Sequence, residues 1–450
     1  MPFRSSKAFI AFVVSYAVFT DQFIFTCIVP IAPAMLESQF HIRQDIAEKN
    51  SLLLTTCGVA MLVSSPILGW WSDRSKSRRP LFLLGVFLIL GSTAMLWRVT
   101  VIQLAYIARI FQGIGSAIVW VMSLAIMFDT VGHARIGEFM GYVGIGMNLG
   151  TILGPKIGSV VFNYFGLHGV FAMCLLLIGG DLILRLVMSE KKVPASRNPS
   201  LTSAPQPNKT DDIDKATQQE KPPSRRKKVS SLAHRLPSVI TLLYRPRFVC
   251  AIWGVFIMAV IGDAFKIALP LHARENFGWD HNKVADAYVA LAAPAFFGPV
   301  FGHISDRFGR RPVAVVGMLV LGACLLALRA ITDSADHRLL WALLPVIGVA
   351  VTVVLEPLTA DIAYVVTKED ESRVGSARFR NGSYGQGYGL FNTAWSAGNT
   401  FGPIWSAHMY EVHSWDSLWL ALGMTVVVTT VPIFLLCGGW WFHDVRKKGV

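Results

Sequence analysis

The sequence predicts an all-α membrane protein with 12 transmembrane helices, arranged as two pseudo-symmetric six-helix bundles. Hydrophobic residues make up 53% of the 450 residues and charged residues only 15%, whereas a soluble chain is about a quarter charged. The mean hydropathy is +0.50. A polar motif that reads GWWSDR at 69–74 returns as GHISDR at 302–307, each time between two apolar runs. This repetition indicates an internal duplication.

Each predicted span is a run of about 20 apolar residues, the length that crosses a hydrocarbon core. The runs lie near 8–35, 50–72, 80–97, 101–128, 137–165, 167–188, 247–272, 282–304, 312–331, 338–366, 384–409 and 416–441. The first run is too long for the apolar region of a signal peptide, so it is interpreted as the first span. The chain therefore divides into an N-terminal bundle, 1–188, a linker, 189–246, and a C-terminal bundle, 247–450.

The net charge of +13 lies mostly on one side of the predicted membrane. Apart from the long central loop, the connections on the side of both termini hold 17 Lys and Arg, against seven on the other side. The positive-inside rule therefore places both termini in the cytoplasm, and no nucleic-acid partner is needed to explain the charge. A plasma membrane and a vacuolar or vesicular membrane both fit.

The linker, 189–246, is rich in Ser, Pro, Lys and Gln and carries the basic cluster 225–228. This composition predicts a disordered cytoplasmic segment. A plain tether and a regulatory or anionic-lipid-binding segment are both compatible with it.

Several function classes are disfavoured by what the sequence lacks. Its six cysteines lie far apart without a Cys-x-x-Cys pair, which argues against a disulfide framework and a zinc site. It has no Gly-Lys dipeptide and no His-Glu-x-x-His motif, hence no Walker A loop and no zinc-protease site. We expect a protein that is not an enzyme, holds no metal or cofactor, and draws energy from a proton gradient.

Ionisable residues inside the predicted spans are candidates for function, because each costs at least about 2.5–3.5 kcal/mol at the bilayer centre. They are Asp21, Asp181, Asp263, Glu356, Asp361, Arg109, Lys156, Arg185 and Lys266. Asp21 lies near mid-bilayer with no base three or four residues away, the spacing at which helix neighbours pair. Burial favours the neutral carboxyl, so Asp21 is the leading candidate to exchange a proton or bind a cation; a structural role is the alternative.

The other buried acids have more balanced interpretations. Asp263 and Lys266 share a helix face at a spacing of three, so a neutralised pair is as plausible as a proton site. Asp181 and Arg185, at a spacing of four, favour a structural pair. Glu356 precedes a proline, and proline-broken helices often line cavities. Five aromatic residues are weighed as cavity-lining, core or lipid-facing: Trp120, Phe265, Tyr364, Phe391 and Trp395.

The two loop motifs suggest a conformational latch. Asp73 and Asp306 are expected at the N-terminus of a neighbouring helix, where the helix dipole favours an acid. Arg74 and Arg307 are expected to bridge to an acid such as Asp129. Gly69 opens the first motif.

The two motifs resemble the loops that follow the second and eighth helices of major facilitator superfamily transporters. Residues 21–33, 109–117 and 150–158 are similar to twelve-span drug:proton antiporters, especially the vesicular amine transporter branch and its fungal relatives. The resemblance implies the major facilitator fold and a part in proton coupling for Arg109. It also implies an antiporter motif, which comprises Gly150, Gly154, Pro155 and Gly158. In that branch, acids stand where this chain has Asn392 and Lys266, so a cationic amine is not assumed as the substrate.

The function expected from these patterns is secondary active transport by a monomer in the lipid bilayer. A proton-coupled antiporter that exports or sequesters a small, fairly apolar organic compound, such as a drug, toxin or secondary metabolite, is the first hypothesis. A symporter or facilitator that imports a small nutrient is the second, and a non-transporting sensor or scaffold of the same fold is the third.

Overall fold

The computed structural model describes residues 6–28, 31–41, 46–75, 77–131, 136–188, 238–279, 281–331, 336–372 and 384–438. All regular secondary structure in these ranges is helical, which confirms the all-α prediction. The α-helices are α1 Lys7–Ile28, α2 Ala32–Ser38, α3 Ile46–Arg74, α4 Arg79–Arg98, α5 Ile102–Val131, α6 Ile136–Val187, α7 Ser238–Leu243, α8 Pro246–Phe277, α9 His281–Ala292, α10 Gly298–Phe308, α11 Arg310–Ala327, α12 His337–Ser372, α13 Tyr384–His413 and α14 Trp415–Leu436. Two 3-10 helices, Ala293–Phe297 and Leu328–Ala330, follow α9 and α11.

Ten helical stretches of the described ranges, one of them running through α9, the 3-10 turn and α10, are long and apolar enough to cross a membrane, and the longest, α6, contains two crossings. Gly166 interrupts it with φ 63° and ψ −165°, a conformation that glycine adopts readily because it has no Cβ. We call the parts before and after this residue α6a, 136–165, and α6b, 167–187. Residues 165 and 167 therefore end one span and begin the next.

The two parts of α6 run in opposite directions along α1. Gly146 and Gly180 both lie against residues 15–16 of α1, whereas Gly158, between them in the chain, lies against Cys27. The chain therefore passes along α1, turns, and comes back. This reversal supplies the fifth and sixth spans that the sequence predicts.

Helix α13 is also a span, although it is less apolar than the ten helical stretches counted above. It packs between α3 and α8, and its 30 residues extend for about 45 Å at 1.5 Å per residue. Buried polar residues such as Gln386, Asn392 and Ser396 lower its hydropathy. With α6 as two crossings and α13 added, the described residues account for the twelve predicted spans.

The eighth span, predicted as one apolar run over 282–304, is broken into α9, a 3-10 turn and α10. Pro294 lies in the first turn of the 3-10 segment and Pro299 in the first turn of α10. Since proline has no N–H to donate and clashes with the preceding turn, a straight helix cannot continue through them.

The two halves pack alike and meet along two seams. Helix α1 packs on α6 and α4 on α5, while in the other half α8 packs on α13 and α11 on α12. These pairs occupy corresponding places in the two repeats. Between the halves, α3 contacts α13 and α6 contacts α10; we call these contacts the α3–α13 seam and the α6–α10 seam.

The linker prediction is wrong at its C-terminal end. Residues 189–237 lie outside the described ranges, but Ser238–Leu243 forms helix α7 rather than a disordered chain. The Val239 N–H donates to the Gln386 side-chain oxygen at 3.0 Å, and Leu242 is fully buried. The end of the linker is therefore docked on α13. Val29 and Pro30 of the first span also lie outside the described ranges.

Candidate functional site

A small cavity of about 40 Å³ lies between the two halves, well below the roughly 300–1,000 Å³ that small-molecule sites usually have. Helices α5 and α6a line it from one half, and α12 and α13 from the other. Its walls are mainly apolar and aromatic, and the residues that matter most are Trp120, Met140, Met147, Glu356, Phe391 and Trp395. Three of the five aromatic candidates thus face the cavity. The other two do not: the Phe265 ring packs at a tilt against Trp419 and Tyr364 lies beneath Arg247.

Glu356 is the one ionisable side chain among the described residues that line the cavity. It is 5% exposed and lies on α12 just before Pro357. A Cβ added at Gly144 of α6a would lie 3.4 Å from its Oε1, and one added at Gly298 of α10 would lie 3.3 Å away. Within the described part of the chain, no donor or base bonds to this carboxyl. Glu356 therefore brings an uncompensated acid to the boundary between the halves.

Asp21 is held by two neutral donors of α5. The Ser116 hydroxyl donates to Oδ1 at 2.5 Å and the Trp120 indole N–H donates to Oδ2 at 3.0 Å. Asp21 is 6% exposed, and no described base forms an ion pair with it. Trp120 also lines the cavity, so Asp21 is one side chain away from it. The acid is neither turned outward nor bound to a base.

Asp263 has a mixed set of partners. Lys266 Nζ lies 2.6 Å from its Oδ1, as the spacing of three predicts. With the Asn399 amide nitrogen turned toward Asp263, that nitrogen donates to Oδ2 at 3.0 Å, and the Asn399 oxygen accepts from the Trp395 indole at 3.0 Å. Trp395 lines the cavity. Each half thus has a buried acid that is linked to a tryptophan of the cavity wall.

Asp73 bonds across the α3–α13 seam. Its carboxylate accepts from the Gly385 N–H at 2.6 Å and from the Gln386 N–H at 2.9 Å, both in the first turn of α13. The Gln386 side chain adds a third bond at 3.1 Å. Asp73 is fully buried, and it occupies the helix N-terminus at which an anion is stabilised.

The base that joins this cluster is Arg78, not the predicted Arg74. Arg78 Nε lies 3.0 Å from Asp129 Oδ2, and its Nη2 lies 3.7 Å from Asp73 Oδ1. The Arg74 guanidinium instead lies over the Trp70 ring, 3.8 Å from the centroid. We call Asp73, Arg78, Asp129 and the first turn of α13 the latch. Gly69 lies beside it, where an added Cβ would be 2.3 Å from the Gly385 carbonyl oxygen.

The second loop motif has a different geometry. The Arg307 guanidinium lies 5.7 Å from the Phe308 ring centroid, whereas Arg310 is the base of this loop that approaches an acid, Asp361 at 3.8 Å. Arg247 holds Asp361 through both carboxylate oxygens. Asp306 is half-buried.

Asn392 lies in the α3–α13 seam rather than in the cavity wall. Its amide nitrogen donates to the Ser65 hydroxyl at 2.8 Å, and it is fully buried. Asn392 does not line the cavity, so its predicted place among proton or substrate ligands stays a prediction.

Comparison with known proteins places this architecture in a family. The sequence profile of the Major Facilitator Superfamily matches residues 14–377 and, overlapping with them, 253–449. The chain belongs to the Major Facilitator Superfamily. Two overlapping matches agree with the internal duplication.

Relatives with similar sequences include fungal and bacterial members of the superfamily. An uncharacterized MFS-type transporter of Schizosaccharomyces pombe is 28% identical over 409 residues, 89% of each chain. The MFS-type transporter ppzB of Metarhizium majus is 26% identical over 447 residues, 93% of this chain and 98% of its own. The tetracycline resistance protein, class E, of Escherichia coli is 25% identical over 442 residues, 96% of each chain.

A solved structure shares the fold. The crystal structure of the human organic anion transporter MFSD10 (TETRAN) aligns with a TM-score of 0.70 over 95% of this chain and 99% of its own, at 17% identity. At that identity the likeness supports the fold alone.

Arg109 of this superfamily member lies inside the N-terminal half without a described carboxylate partner. It is fully buried, and one guanidinium nitrogen, Nη1, donates to the Gln112 side chain at 2.8 Å. Its Nε and Nη2 have no acceptor within the described part of the chain. Arg109 does not line the cavity, so its proton role stays a prediction.

The glycines of the predicted antiporter motif bring α6a against α1. A Cβ at Gly150 would lie 2.7 Å from the Phe19 carbonyl oxygen, and one at Gly154 would lie 2.2 Å from the Thr26 hydroxyl. The Thr26 hydroxyl in turn donates to the Gly150 carbonyl at 3.0 Å. Gly158 continues the contact at Cys27, and Pro155 lies within the helix. Close packing accounts for these residues, which leaves their part in antiport a prediction.

The predicted structural pair of the sixth span is present. Arg185 and Asp181 form an ion pair, Arg185 Nη1 donates to the Phe82 carbonyl at 2.7 Å, and its guanidinium lies over the Phe82 ring. Both charged residues are about 1% exposed. The pair fastens α6b to α4 and takes no part in the cavity.

Sequence reasoning missed four residues that complete these clusters: Ser116, Asn399, Arg78 and Gln386. All four are polar residues, and Arg78 lies just after the first loop motif, which is the one usable signal. Their partners lie on other helices, however, and only the packing of those helices identifies them.

Proposed function

We propose that this superfamily member is a proton-coupled antiporter that exports or sequesters a small, fairly apolar organic compound by alternating access. The observation that carries the proposal is the cavity between the halves, which has an uncompensated acid in its wall and a buried acid on either side. Antiport requires that proton and cargo compete for one site or for two linked sites. A carboxyl that no base neutralises is suited to that exchange, because its proton affinity responds to nearby charge.

The cavity also favours a class of cargo. Trp120, Phe391 and Trp395 offer aromatic faces, the methionines offer adaptable apolar contacts, and Glu356 offers one negative charge. Aromatic faces and a carboxylate both attract cations. The described lining residues include no base. We therefore propose a cargo with an apolar body and at most one positive charge.

The tetracycline resistance protein among the relatives agrees with export of an organic compound, and its 25% identity makes tetracycline a reasonable first probe. Two rocking halves with a site between them are typical of this kind of transporter. The latch fits such a cycle, since its bonds join the halves at one end only and must open for the other state.

Flux into proteoliposomes with an acidic interior tests proton coupling. Wild-type protein is expected to accumulate tetracycline inside as protons leave, and a protonophore is expected to abolish the accumulation. Asp21→Asn and Glu356→Gln are each expected to abolish it too. At least one of them should still exchange labelled for unlabelled cargo, because exchange needs no net proton movement. Asp416→Asn is the control, since Asp416 is an exposed acid paired with Arg329, and it should keep wild-type flux.

The outcomes separate the competing functions. A symporter would accumulate cargo only when protons flow in the same direction as the cargo. A sensor or scaffold would show no flux with any probe. Deletion of 189–237 should leave the flux of an antiporter measurable. A protein that shows no flux with or without residues 189–237, but loses a cellular response when they are deleted, would point to signalling through the linker.

Opposite charges on one scaffold test the cargo class. Tetraphenylphosphonium and tetraphenylborate have the same shape and opposite charge. The wild-type protein in detergent should bind the cation at least about tenfold more tightly, which corresponds to 1.4 kcal/mol, and Glu356→Gln should remove that preference. Equal binding of both ions by the wild type would contradict the proposed class.

A further inference from the structure

Two tryptophans of the cavity wall have the same arrangement in the two halves. Trp120 of α5 and Trp395 of α13 both line the cavity, and each points its indole N–H away from the cavity into its own half. Trp120 donates directly to Asp21 at 3.0 Å. Trp395 reaches Asp263 through Asn399, with two contacts of 3.0 Å. Each of these two rings in the cavity wall is thus hydrogen-bonded to a buried acid, directly or through one amide.

We infer that Trp120 is the positioning residue that couples the protonation of Asp21 to the occupancy of the cavity. This inference rests on the proposed function. A hydrogen bond to an ionised carboxylate is about twice as strong as one to a neutral acceptor. When Asp21 is ionised, its carboxylate holds the indole in the wall. When Asp21 takes up a proton, the bond weakens and the indole is free to move.

The coupling acts in both directions by thermodynamic linkage. A cargo that packs on the Trp120 ring and needs it in place binds more tightly to the ionised form of Asp21. Its arrival therefore releases the Asp21 proton. No separate proton path to the cargo is required, because the tryptophan side chain connects the acid to the cavity.

Several charged or titratable groups lie near Asp21, but none of those described bonds to its carboxyl, so we assign the exchanged proton to Asp21 itself. On α6b, Asp181 and Arg185 carry opposite charges and are paired with each other. On α3, the Cys57 thiol is the titratable group near it. On α5, Arg109 lies two turns from Ser116, bonded to Gln112. None of these groups replaces Ser116 or Trp120 as a described hydrogen-bond partner of Asp21.

The Asp263 side is predicted to couple more weakly. Lys266 lies 2.6 Å from Asp263, whereas no described base forms an ion pair with Asp21. Tyr288 is the other titratable group nearby, and its hydroxyl donates to the Phe265 and Lys266 carbonyls. Asn399 also stands between the acid and the indole. Trp395 is therefore a matched comparison: the same side chain in the same cavity wall, attached to an acid that has a base.

The test measures binding of tetraphenylphosphonium to the full-length protein in detergent across a pH series. The wild-type affinity is expected to rise by about five- to 150-fold from acid to alkaline pH, the range of ordinary coupling free energies. Trp120→Phe keeps a ring but removes the N–H, so its affinity should vary several-fold less than that of the wild type over the same series, because the charge-assisted bond to Asp21 is lost and only the Glu356 carboxyl still titrates beside the probe. Trp395→Phe should keep most of the wild-type variation. Phe391→Leu, a wall residue without a link to an acid, should weaken binding equally at every pH.

A second readout is the proton itself. Probe added to weakly buffered wild-type protein should release protons, and Trp120→Phe should release fewer at equal occupancy, because only the Glu356 carboxyl still responds to the probe. Unchanged pH dependence and unchanged proton release in Trp120→Phe would overturn the inference. A wild-type protein that binds the probe with no pH dependence would instead contradict the proposed proton coupling, so the two failures are distinguishable.

A third measurement covers the case in which Trp120→Phe does not fold. Fluorine NMR of 5-fluorotryptophan protein should show one resonance that titrates with pH, stops titrating in Asp21→Asn, and shifts when probe is added. The absence of a resonance with all three properties counts against the inference.

Discussion

The two loop motifs have nearly the same sequence, yet their charges go to different places. In the first, Asp73 reaches across the α3–α13 seam to the first turn of α13, and Arg78 links it to Asp129. In the second, Arg310 approaches Asp361 within its own half, and Arg247 already holds that acid with both oxygens. Asp73 is fully buried whereas Asp306 is half-buried.

The difference shows that the duplication places similar charged residues at corresponding helix ends but does not determine which residues they bond to. Both motifs place an acid and several bases at the end of a span. In the first, the hydrogen bonds from Gly385 and Gln386 to Asp73 fasten one half of the molecule to the other, while the ion pairs of Arg78 hold Asp73 in place within its own half. In the second, the described ion pairs fasten helices of a single half together. We therefore propose that the conformational control at this end of the molecule lies in the first motif.

The largest expected difference in stability is between two variants that each remove one base, Arg78 from the first loop and Arg310 from the second. Arg78→Gln takes the base away from Asp73 and Asp129, and loss of one partner from a buried ion pair costs about 3–5 kcal/mol. Partial exposure of Asp129 places the expected loss at the low end of that range, since exposed pairs contribute little. Arg310→Gln should cost less, because Arg247 still neutralises Asp361.

Spin labels on the two halves near residues 75 and 384 measure this effect as a change in the population of separated halves. Arg78→Gln should raise that population strongly, and Arg310→Gln should leave it near the wild-type value. Equal effects of the two substitutions would remove the proposed asymmetry between the loops.

The next effect concerns the close approach that allows the latch to form. A Cβ at Gly69 would lie 2.3 Å from the Gly385 carbonyl oxygen, so Gly69→Ala forces the seam apart at a cost of about 1–3 kcal/mol. Gly91→Ala is the matched control, because Gly91 is exposed on α4 and an added Cβ there meets nothing within 4 Å. That control should be neutral or more stable by up to about 1 kcal/mol, as for glycine in a helix interior. Thermal unfolding in detergent and the spin-label distances measure both variants, and a Gly69→Ala protein that matches Gly91→Ala would contradict the tight seam.

The sequence was a good guide to position and a poor one to pairing. Runs of apolar residues and repeated motifs predicted the twelve spans, and the isolated acid of the first span, Asp21, does lie near the cavity without a base. The choice of Arg78 over Arg74 was not predictable, because it depends on where α4 begins and how it is rotated. Asp361 is paired with Arg247, which lies more than 100 residues earlier and is brought near by the packing of α8 on α12. Local spacing finds pairs such as Asp263–Lys266, and packing decides the rest.

The smallest expected effect on the separation of the halves concerns helix α7, which precedes the C-terminal half. Helix α7, the end of the linker, is attached to the first motif's side of the molecule: Val239 bonds to Gln386, and Gln386 bonds to Asp73. Leu242 is fully buried, whereas its neighbour Leu243 is 49% exposed. Leu242→Ala should loosen α7 and raise the population of separated halves by a few-fold, equivalent to about 1 kcal/mol. Leu243→Ala should leave that population unchanged, because it removes no packed side chain. If the two variants give the same spin-label distances, α7 is docked on the latch without influencing it, and the linker is mechanically independent of the seam that it touches.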